Sequence, residues 1–357
     1  MSATLDANSF RAAKILVVGG AGFVGANLVA TLLTHQPSRI TVVDNLLSSD
    51  MANVPAHDLV RFELGSIADD RVLAKLPTDI DFAFHLACFH GNQSSIADPF
   101  ADHDNNTITS LKLFHWLSER ARPKKVVYAA AGCAVAAKTW DEPAATSEDA
   151  PITLFHDSPY SISKLIGELY GNYFFRRGGL PFVRARFQNV YGPREILGAG
   201  RWRGTPHTVW RNVTPTFIWK SLAREALPLD NAGQASRDFI YVEDLVEGLL
   251  RCALDGEPGE AYNLASGVET SIRDLAEAIN RLTGNDTPVD LRPARDWDNS
   301  GRRYGDPSKS QARLGFSAKT PLEEGLRRTI EWTRAHRDLI ARCMAQHEVF
   351  MRVPAKD

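Results

Sequence analysis

The sequence has little of what marks a specialised class of protein, and each shortage excludes something. Four cysteines occur, Cys88, Cys133, Cys252 and Cys343. They show no C-x-x-C or Cys/His ligand spacing, so neither a zinc site nor a disulfide framework is expected, and a reducing cytoplasm fits best. No apolar run approaches the roughly 18 residues that a membrane span needs. The opening MSATLDANSFRA lacks the apolar core of a signal peptide. An excess of one charge is missing too: 41 Lys and Arg against 43 Asp and Glu leave a formal charge of −2. Near-neutrality gives no support for binding to nucleic acid or to a membrane surface. There is no internal repeat and no low-complexity segment. What remains is 44% hydrophobic and 24% charged in 357 residues, an ordinary soluble composition long enough for two lobes around one large core.

The chain is organised around KILVVGGAGFVGANL, residues 14–28. Ile15 to Val18 are apolar and half β-branched, as a strand buried on both faces should be. Gly19, Gly20, Gly22 and Gly25 follow, and Phe23 and Val24 open an apolar stretch with helical spacing. A strand, a glycine turn and a helix bring free N–H groups and a helix N-terminus to one point, where a pyrophosphate binds. Glycines alone are weak evidence, because a tight strand-to-helix turn also needs them. The second strand adds weight: Ile40 to Val43 end in Asp44, about 20 residues further on, where a carboxylate accepts hydrogen bonds from an adenosine ribose. A carboxylate there repels a 2′-phosphate and no Arg follows to receive one, which favours NAD over NADP.

Short apolar strands alternate with helical stretches from residue 12 to about 190, the pattern of a doubly wound parallel sheet. Strands are expected over 14–18, 40–44, 60–64, 81–86, 125–130 and 182–188. Ser66 and Ile67, after the third strand, are placed to line an adenine. Leu86 and Ala87, after the fourth, are small enough at the turn for a cofactor to approach the backbone. His85 reads as a packed core histidine. Residues 101–120 read as a long helix, and His156-Asp157-Ser158-Pro159 opens another at Tyr160. That helix carries Tyr160-Ser-Ile-Ser-Lys164, whose spacing of four puts both side chains on one face. An ammonium near a phenol stabilises the phenolate, pulling the tyrosine pKa down from about 10. Such a tyrosine removes a hydroxyl proton while hydride leaves the same carbon.

These residues resemble a known family. Gly19-x-x-Gly22-x-x-Gly25, Asp44-Asn45-Leu46, His85-Leu86-Ala87, Asp104-Asn105-Asn106, Tyr160-x-x-x-Lys164, Arg186-x-x-Asn189-Val-Tyr-Gly-Pro193 and Arg237-Asp-Phe-Ile-Tyr-Val-Glu-Asp244 occur in the order seen in the extended short-chain dehydrogenase/reductases. Among these the chain is similar to the nucleotide-sugar epimerases and dehydratases, of which UDP-glucose 4-epimerase is the best-known type, over roughly residues 12 to 335. The resemblance implies a Rossmann-type α/β fold with a smaller α/β substrate-binding lobe. Residues 12–190 and 238–265 would form the NAD-binding domain, 191–237 and 266–335 the sugar-nucleotide lobe, and 336–357 a helical tail. It implies Tyr160 and Lys164 as catalytic and cofactor-binding residues, with Asn45 and Asn106 also at the cofactor. Asn189 would bond the substrate's phosphate region and Arg237 its pyrophosphate. Arg303 is a further phosphate candidate, with Arg302 equally available. A homodimer built from helices 101–120 and 160–176 is implied as well.

The sequence also departs from that pattern. The family places a Ser or Thr three residues after the aromatic that here is Tyr128, and this chain has Ala131. Losing such a hydroxyl costs a few kcal/mol of transition-state stabilisation without removing the base. Cys133 stands where GDP-fucose synthases and GDP-mannose 3,5-epimerases carry a catalytic cysteine, but their partner base is missing from Asn212-Val213-Thr214; Cys133 is a catalytic candidate but reads rather as a small buried thiol. Gly132-Cys133 offers no carboxylate pair, which disfavours dehydration. Residues 195–211, rich in Arg and Trp, either stack on a base and hold phosphates or form a lid or dimer edge. The expectation is an NAD-dependent epimerase of a nucleotide-activated sugar, at C4 through a transient 4-keto sugar. Its alternatives are 3,5-epimerisation through Cys133, decarboxylation, keto reduction, or a catalytically weak binding protein.

Overall fold

A computed structural model describes residues 5–136, 138–295 and 301–352. Six strands form where the apolar runs lie: β1 (Lys14–Val18), β2 (Arg39–Asp44), β3 (Val60–Leu64), β4 (Phe82–His85), β5 (Lys125–Ala131) and β6 (Phe182–Phe187). The short strands β7 (Asn189–Tyr191), β8 (Pro228–Asp230) and β9 (Ser236–Tyr241) follow, then β10 (Ala261–Leu264), β11 (Glu269–Ser271) and β12 (Asp290–Arg292). The main sheet has seven strands in the order β10-β6-β5-β4-β1-β2-β3. Every pair in it is parallel, so each strand is reached by a crossover and both faces must be covered. One face packs the helices Phe23–Thr34 and Val242–Leu254 against Val17, Val42 and Phe84. The other packs Leu113, Phe114 and Leu117 against Leu16, Val126 and Tyr128. His85 is 1% exposed and shares a hydrogen with Ser110 Oγ at 3.0 Å, and burial lowers its pKa to about 3, so it is a neutral core group.

Residues 238–265, placed above with the NAD-binding domain, divide between two sheets: β9 pairs with β7 in parallel and β11 antiparallel, as a separate three-stranded sheet. The return to the main sheet is made by the helix Val242–Leu254 and by β10, too short to stand out. A second apolar core gathers around this smaller sheet, from Tyr191, Phe239 and Tyr241 to Phe217, Leu275 and Leu326. The long helix expected over 101–120 is a continuous helical run over 99–121, interrupted by π-type turns at His103–Ile108 and Leu117–Ala121. No described helix is long and apolar enough to cross a membrane.

Candidate active site

At the carboxyl end of the main sheet, the turn after β1 is held by contacts that only glycine permits. Gly19 has φ +86°, and a Cβ there would meet the Ala87 nitrogen at 2.4 Å. A Cβ on Gly25 would lie 2.1 Å from the Gly19 oxygen, so the helix Phe23–Thr34 starts against the turn itself. No side chain caps that helix. Its first N–H groups are therefore open to an anion, and the cradle fits a dinucleotide pyrophosphate. Asp44 ties the cradle to β2: Oδ2 accepts from the Ala21 N–H at 3.0 Å, and Oδ1 from the Leu46 N–H and Ser49 Oγ, each at 2.9 Å. The Gly22 N–H also bonds this carboxylate, so a ribose hydroxyl would share an oxygen with these backbone donors.

The other expected cofactor residues are placed unequally. The N–H groups of Leu86 and Ala87 donate to the Val18 carbonyl at 2.8 and 2.9 Å, which holds the turn after β4 beside the glycines. Ser66 Oγ accepts from the Ala68 N–H, and Ile67 is 2% exposed in the core, so these two offer backbone more than side chain. Asn45 accepts from the Leu47 N–H and bonds Asn105. Asn106 is buried and works as a clip. It accepts from the Phe89 N–H at 2.7 Å, and its Nδ2 donates to Asp102 at 2.7 Å and Ser163 Oγ at 3.1 Å. This pins the loop after β4 to the helix that carries Tyr160.

That helix, Pro159–Gly178, begins as Ser158-Pro159 predicts, with Ser158 Oγ accepting from the Ser161 N–H and proline in the first turn. The Tyr160 N–H donates to Ser95 Oγ at 3.1 Å, and the ring is half-buried. Lys164 Nζ donates to the Ala129 carbonyl at 2.7 Å and lies 5.0 Å from the centre of the Tyr128 ring. The expected depression of the Tyr160 pKa is not what the chain produces. Burial raises the phenol well above its ordinary value and lowers Lys164. Both groups lose water, and the ammonium is turned to a β5 carbonyl. Cys88 and Cys133 stand close enough that ionising either thiol would oppose a phenolate further. Both are half-buried, Cys133 in the turn Gly132–Ala134 straight after Ala131.

Sequence reasoning passed over His90. Its ring meets Tyr160 edge to face, with centroids 5.8 Å apart and planes at 87°. His90 Nε2 lies 2.8 Å from Asn212 Oδ1, and Asn212 Nδ2 in turn donates to Glu195 Oε1. Arg203 donates to the His90 carbonyl at 2.8 Å, and its guanidinium sits over Phe89. The signal was available only as a histidine in the glycine-bearing loop after β4, with no periodicity to mark it. Arg203 and Arg211 turn inward onto carbonyls of His90, Ser48, Ala199 and Thr208, and burial brings their pKa values down to about 10 and about 9. Trp202 stacks on Phe350 at 5.1 Å and 12°, joining the segment to the C-terminal helices.

The expected phosphate ligands lie on the smaller sheet. Asn189 opposes Phe239 across β7 and β9, and Arg237, two residues earlier on β9, shares that face. Arg237 donates to the carbonyls of Ser236 and Gly301 at 2.6 and 2.7 Å. Arg302 is committed to Glu269 by two bonds of 2.8 and 3.0 Å, whereas Arg303 is buried, 7% exposed.

Comparison with known proteins extends this picture. The family model described as NAD dependent epimerase/dehydratase family matches residues 15–265. Among solved structures, the Bordetella bronchiseptica enzyme WbmF, crystallised with NAD+ and UDP, is 55% identical, covers 96% of this chain and 98% of its own, and has a TM-score of 0.86. UDP-glucose 4-epimerase of Mycolicibacterium smegmatis is 29% identical over 327 residues, 90% of this chain and 98% of the relative. An Arabidopsis thaliana trifunctional UDP-glucose 4,6-dehydratase/UDP-4-keto-6-deoxy-D-glucose 3,5-epimerase/UDP-4-keto-L-rhamnose-reductase is 26% identical over 335 residues. The chain matches over 92% of its own length there but spans only 48% of that relative.

Proposed function

This chain belongs to the NAD dependent epimerase/dehydratase family, and from that premise we propose that it epimerises a nucleotide-activated sugar at C4 through a transient 4-keto sugar. The observation that carries the reading is Tyr160 at the first turn of its helix, half-buried, beside the loop that follows β4. NAD, when bound, supplies the hydride acceptor and donor and the positive charge of its oxidised ring. Gly19, Gly22, Gly25 and the N–H groups of Phe23 and Val24 would hold its pyrophosphate, with Asp44 on the ribose and Lys164 beside it. Tyr160 takes the C4 hydroxyl proton only as the phenolate, having first lost its own proton to solvent; Lys164 and the positive charge that the oxidised cofactor would bring offset the burial that otherwise keeps the phenol neutral. The phenol so formed returns the proton on reduction. Asn189, Arg237 and Arg303 would hold the diphosphate.

One observation favours a second reading. The stretch 212–214 holds no base of its own, but Asn212 hydrogen-bonds His90, which lies against Tyr160. With Cys133 this makes a pair of acid/base groups for a carbon next to the ketone. The proton leaves that carbon for His90, the electron pair stays in the enolate, and a proton from the Cys133 thiol closes the opposite face. The test is to denature the purified protein, identify released dinucleotide and sugar by mass, and incubate fresh enzyme with a UDP-sugar panel in D2O. Inversion at C4 with its hydrogen retained supports the first reading, and deuterium entering at C3 or C5 supports the second. Bound NAD with neither change in any sugar would sink both.

The proposal includes a homodimer. Ile162, Leu169 and Tyr173 lie on one side of the helix Pro159–Gly178 and are 45%, 58% and 57% exposed. Phe100, on the run 99–121, is 81% exposed. An apolar face of this kind marks an interface. Light scattering is expected to give twice the 39.4 kDa chain mass, and Leu169→Glu to halve it; a wild-type monomer at micromolar concentration would refute the dimer.

A further inference from the structure

Behind the His90 ring lies a partly buried chain of hydrogen bonds that C4 epimerisation does not use. His90 Nε2 meets Asn212 Oδ1 at 2.8 Å, and Asn212 Nδ2 donates to Glu195 Oε1. Glu195 is 9% exposed, and its Oε2 is buried without a hydrogen-bond partner among the described residues. Asn212 occupies the N-cap position of the helix Val213–Leu222, where asparagine ordinarily bonds an N–H of the first turn, yet it makes no such bond. Its amide is spent instead on joining the histidine to the carboxyl group.

We propose that Glu195, acting through Asn212, sets the tautomer of His90 and so decides whether that ring offers the sugar a lone pair or an N–H. This rests on the second reading above, in which His90 exchanges a proton with the sugar. The argument follows from the two ends of an amide. An ionised Glu195 only accepts, so it takes the Nδ2 end of Asn212. Oδ1 then faces His90 and can only accept, which places the ring hydrogen on Nε2 and leaves Nδ1 as the base. A protonated Glu195 can donate, which lets the amide turn over. Nδ2 would then donate to Nε2, and the ring hydrogen would move to Nδ1. His90 and Arg211 face the carboxyl group, and Arg203 and Arg211 face the imidazole. Burial raises the carboxyl to about 7, against the opposing pull of Asn212, His90 and Arg211. The switch thus falls near neutral pH. Glu195 is a positioning residue, since it acts on the ring through Asn212.

The relay is read directly by long-range 1H–15N correlation spectra of 15N-histidine-labelled holoenzyme, with His90 assigned by its loss in His90→Gln. The Nε2–H tautomer is expected at pH 8, with Nδ1–H growing as pH falls through about 7. Glu195→Gln, whose amide both donates and accepts, should give mixed tautomers with no inflection while NAD content and thermal unfolding stay as in wild type. Asn212→Leu supplies the same readout should that variant fail to fold. In the D2O assay Glu195→Gln should lower kcat for exchange at least tenfold at pH 8 and leave KM within twofold. Nδ1–H in the wild type at pH 8, or an inflection that survives Glu195→Gln, would overturn the relay. A wild type with the expected tautomers but no exchange into any sugar would remove the proton-exchange reading, and the positioning role with it, while the tautomer assignment stands.

Discussion

Tyr160→Phe is expected to lower turnover by about 10²–10⁴-fold, the range over which a positioned acid/base group contributes. The substitution removes one oxygen and leaves the ring that His90 meets at 5.8 Å. The backbone bond from residue 160 to Ser95 Oγ is untouched, and so is the Lys164 bond to Ala129. Bound NAD and the unfolding midpoint should therefore match wild type, and the loss should sit in kcat with little change in KM. Steady-state rates on the sugar identified by mass, with absorbance of the released dinucleotide, test this. Activity within tenfold of wild type would move the proton transfer to His90 or Cys133 and take C4 oxidation by Tyr160 out of the mechanism.

Glu168→Ala should be the most destabilising single change near the site. Glu168 lies one turn beyond Lys164 on the same helix, and both its oxygens engage Arg186 of β6, at 3.0 and 2.9 Å, with each side chain 3% exposed. Arg184 approaches the same carboxylate at 3.5 Å. Removing the acid strands a guanidinium in the protein interior, which costs about 3–5 kcal/mol, more than the intact pair contributes over apolar replacements. Glu168→Met combined with Arg186→Leu should recover part of that loss, because the buried Arg186 charge is gone while the partly buried Arg184 keeps only its bond to the Gly259 carbonyl. Denaturant unfolding of the single and double variants decides it; a single-variant loss below about 1 kcal/mol would mean that water reaches Arg186. Because the pair clamps the Tyr160 helix to the sheet, the single variant should also lose activity out of proportion to its folded fraction.

The motif Arg186-x-x-Asn189 shows how pattern and role separate. Pattern gives Asn189 a substrate role and leaves Arg186 without one; the structure makes Arg186 a buried strut, while Asn189 stays half-buried at the sheet end. Arg302 and Arg303 are indistinguishable as letters. Glu269, on the β11 strand that pairs with β9, bonds Arg302. The same holds for Arg203 and Arg211, whose composition suggested phosphate binding and whose bonds run to backbone carbonyls.

Sequence by itself determined the parallel sheet, the family and the dinucleotide cofactor. Each rests on residues close together in the chain, where strand period, glycine conformations and helical spacing are local consequences of backbone sterics. Only the tertiary structure decided what surrounds Tyr160. His90 and Asn212 are 122 residues apart and meet because the loop after β4 and the N-terminus of the helix Val213–Leu222 are packed against one cleft. The raised phenol, the lowered lysine and the carboxyl at about 7 follow from burial, which belongs to the folded chain and to no segment of it. Side-chain partners across such separations carry no period, so packing alone selects them.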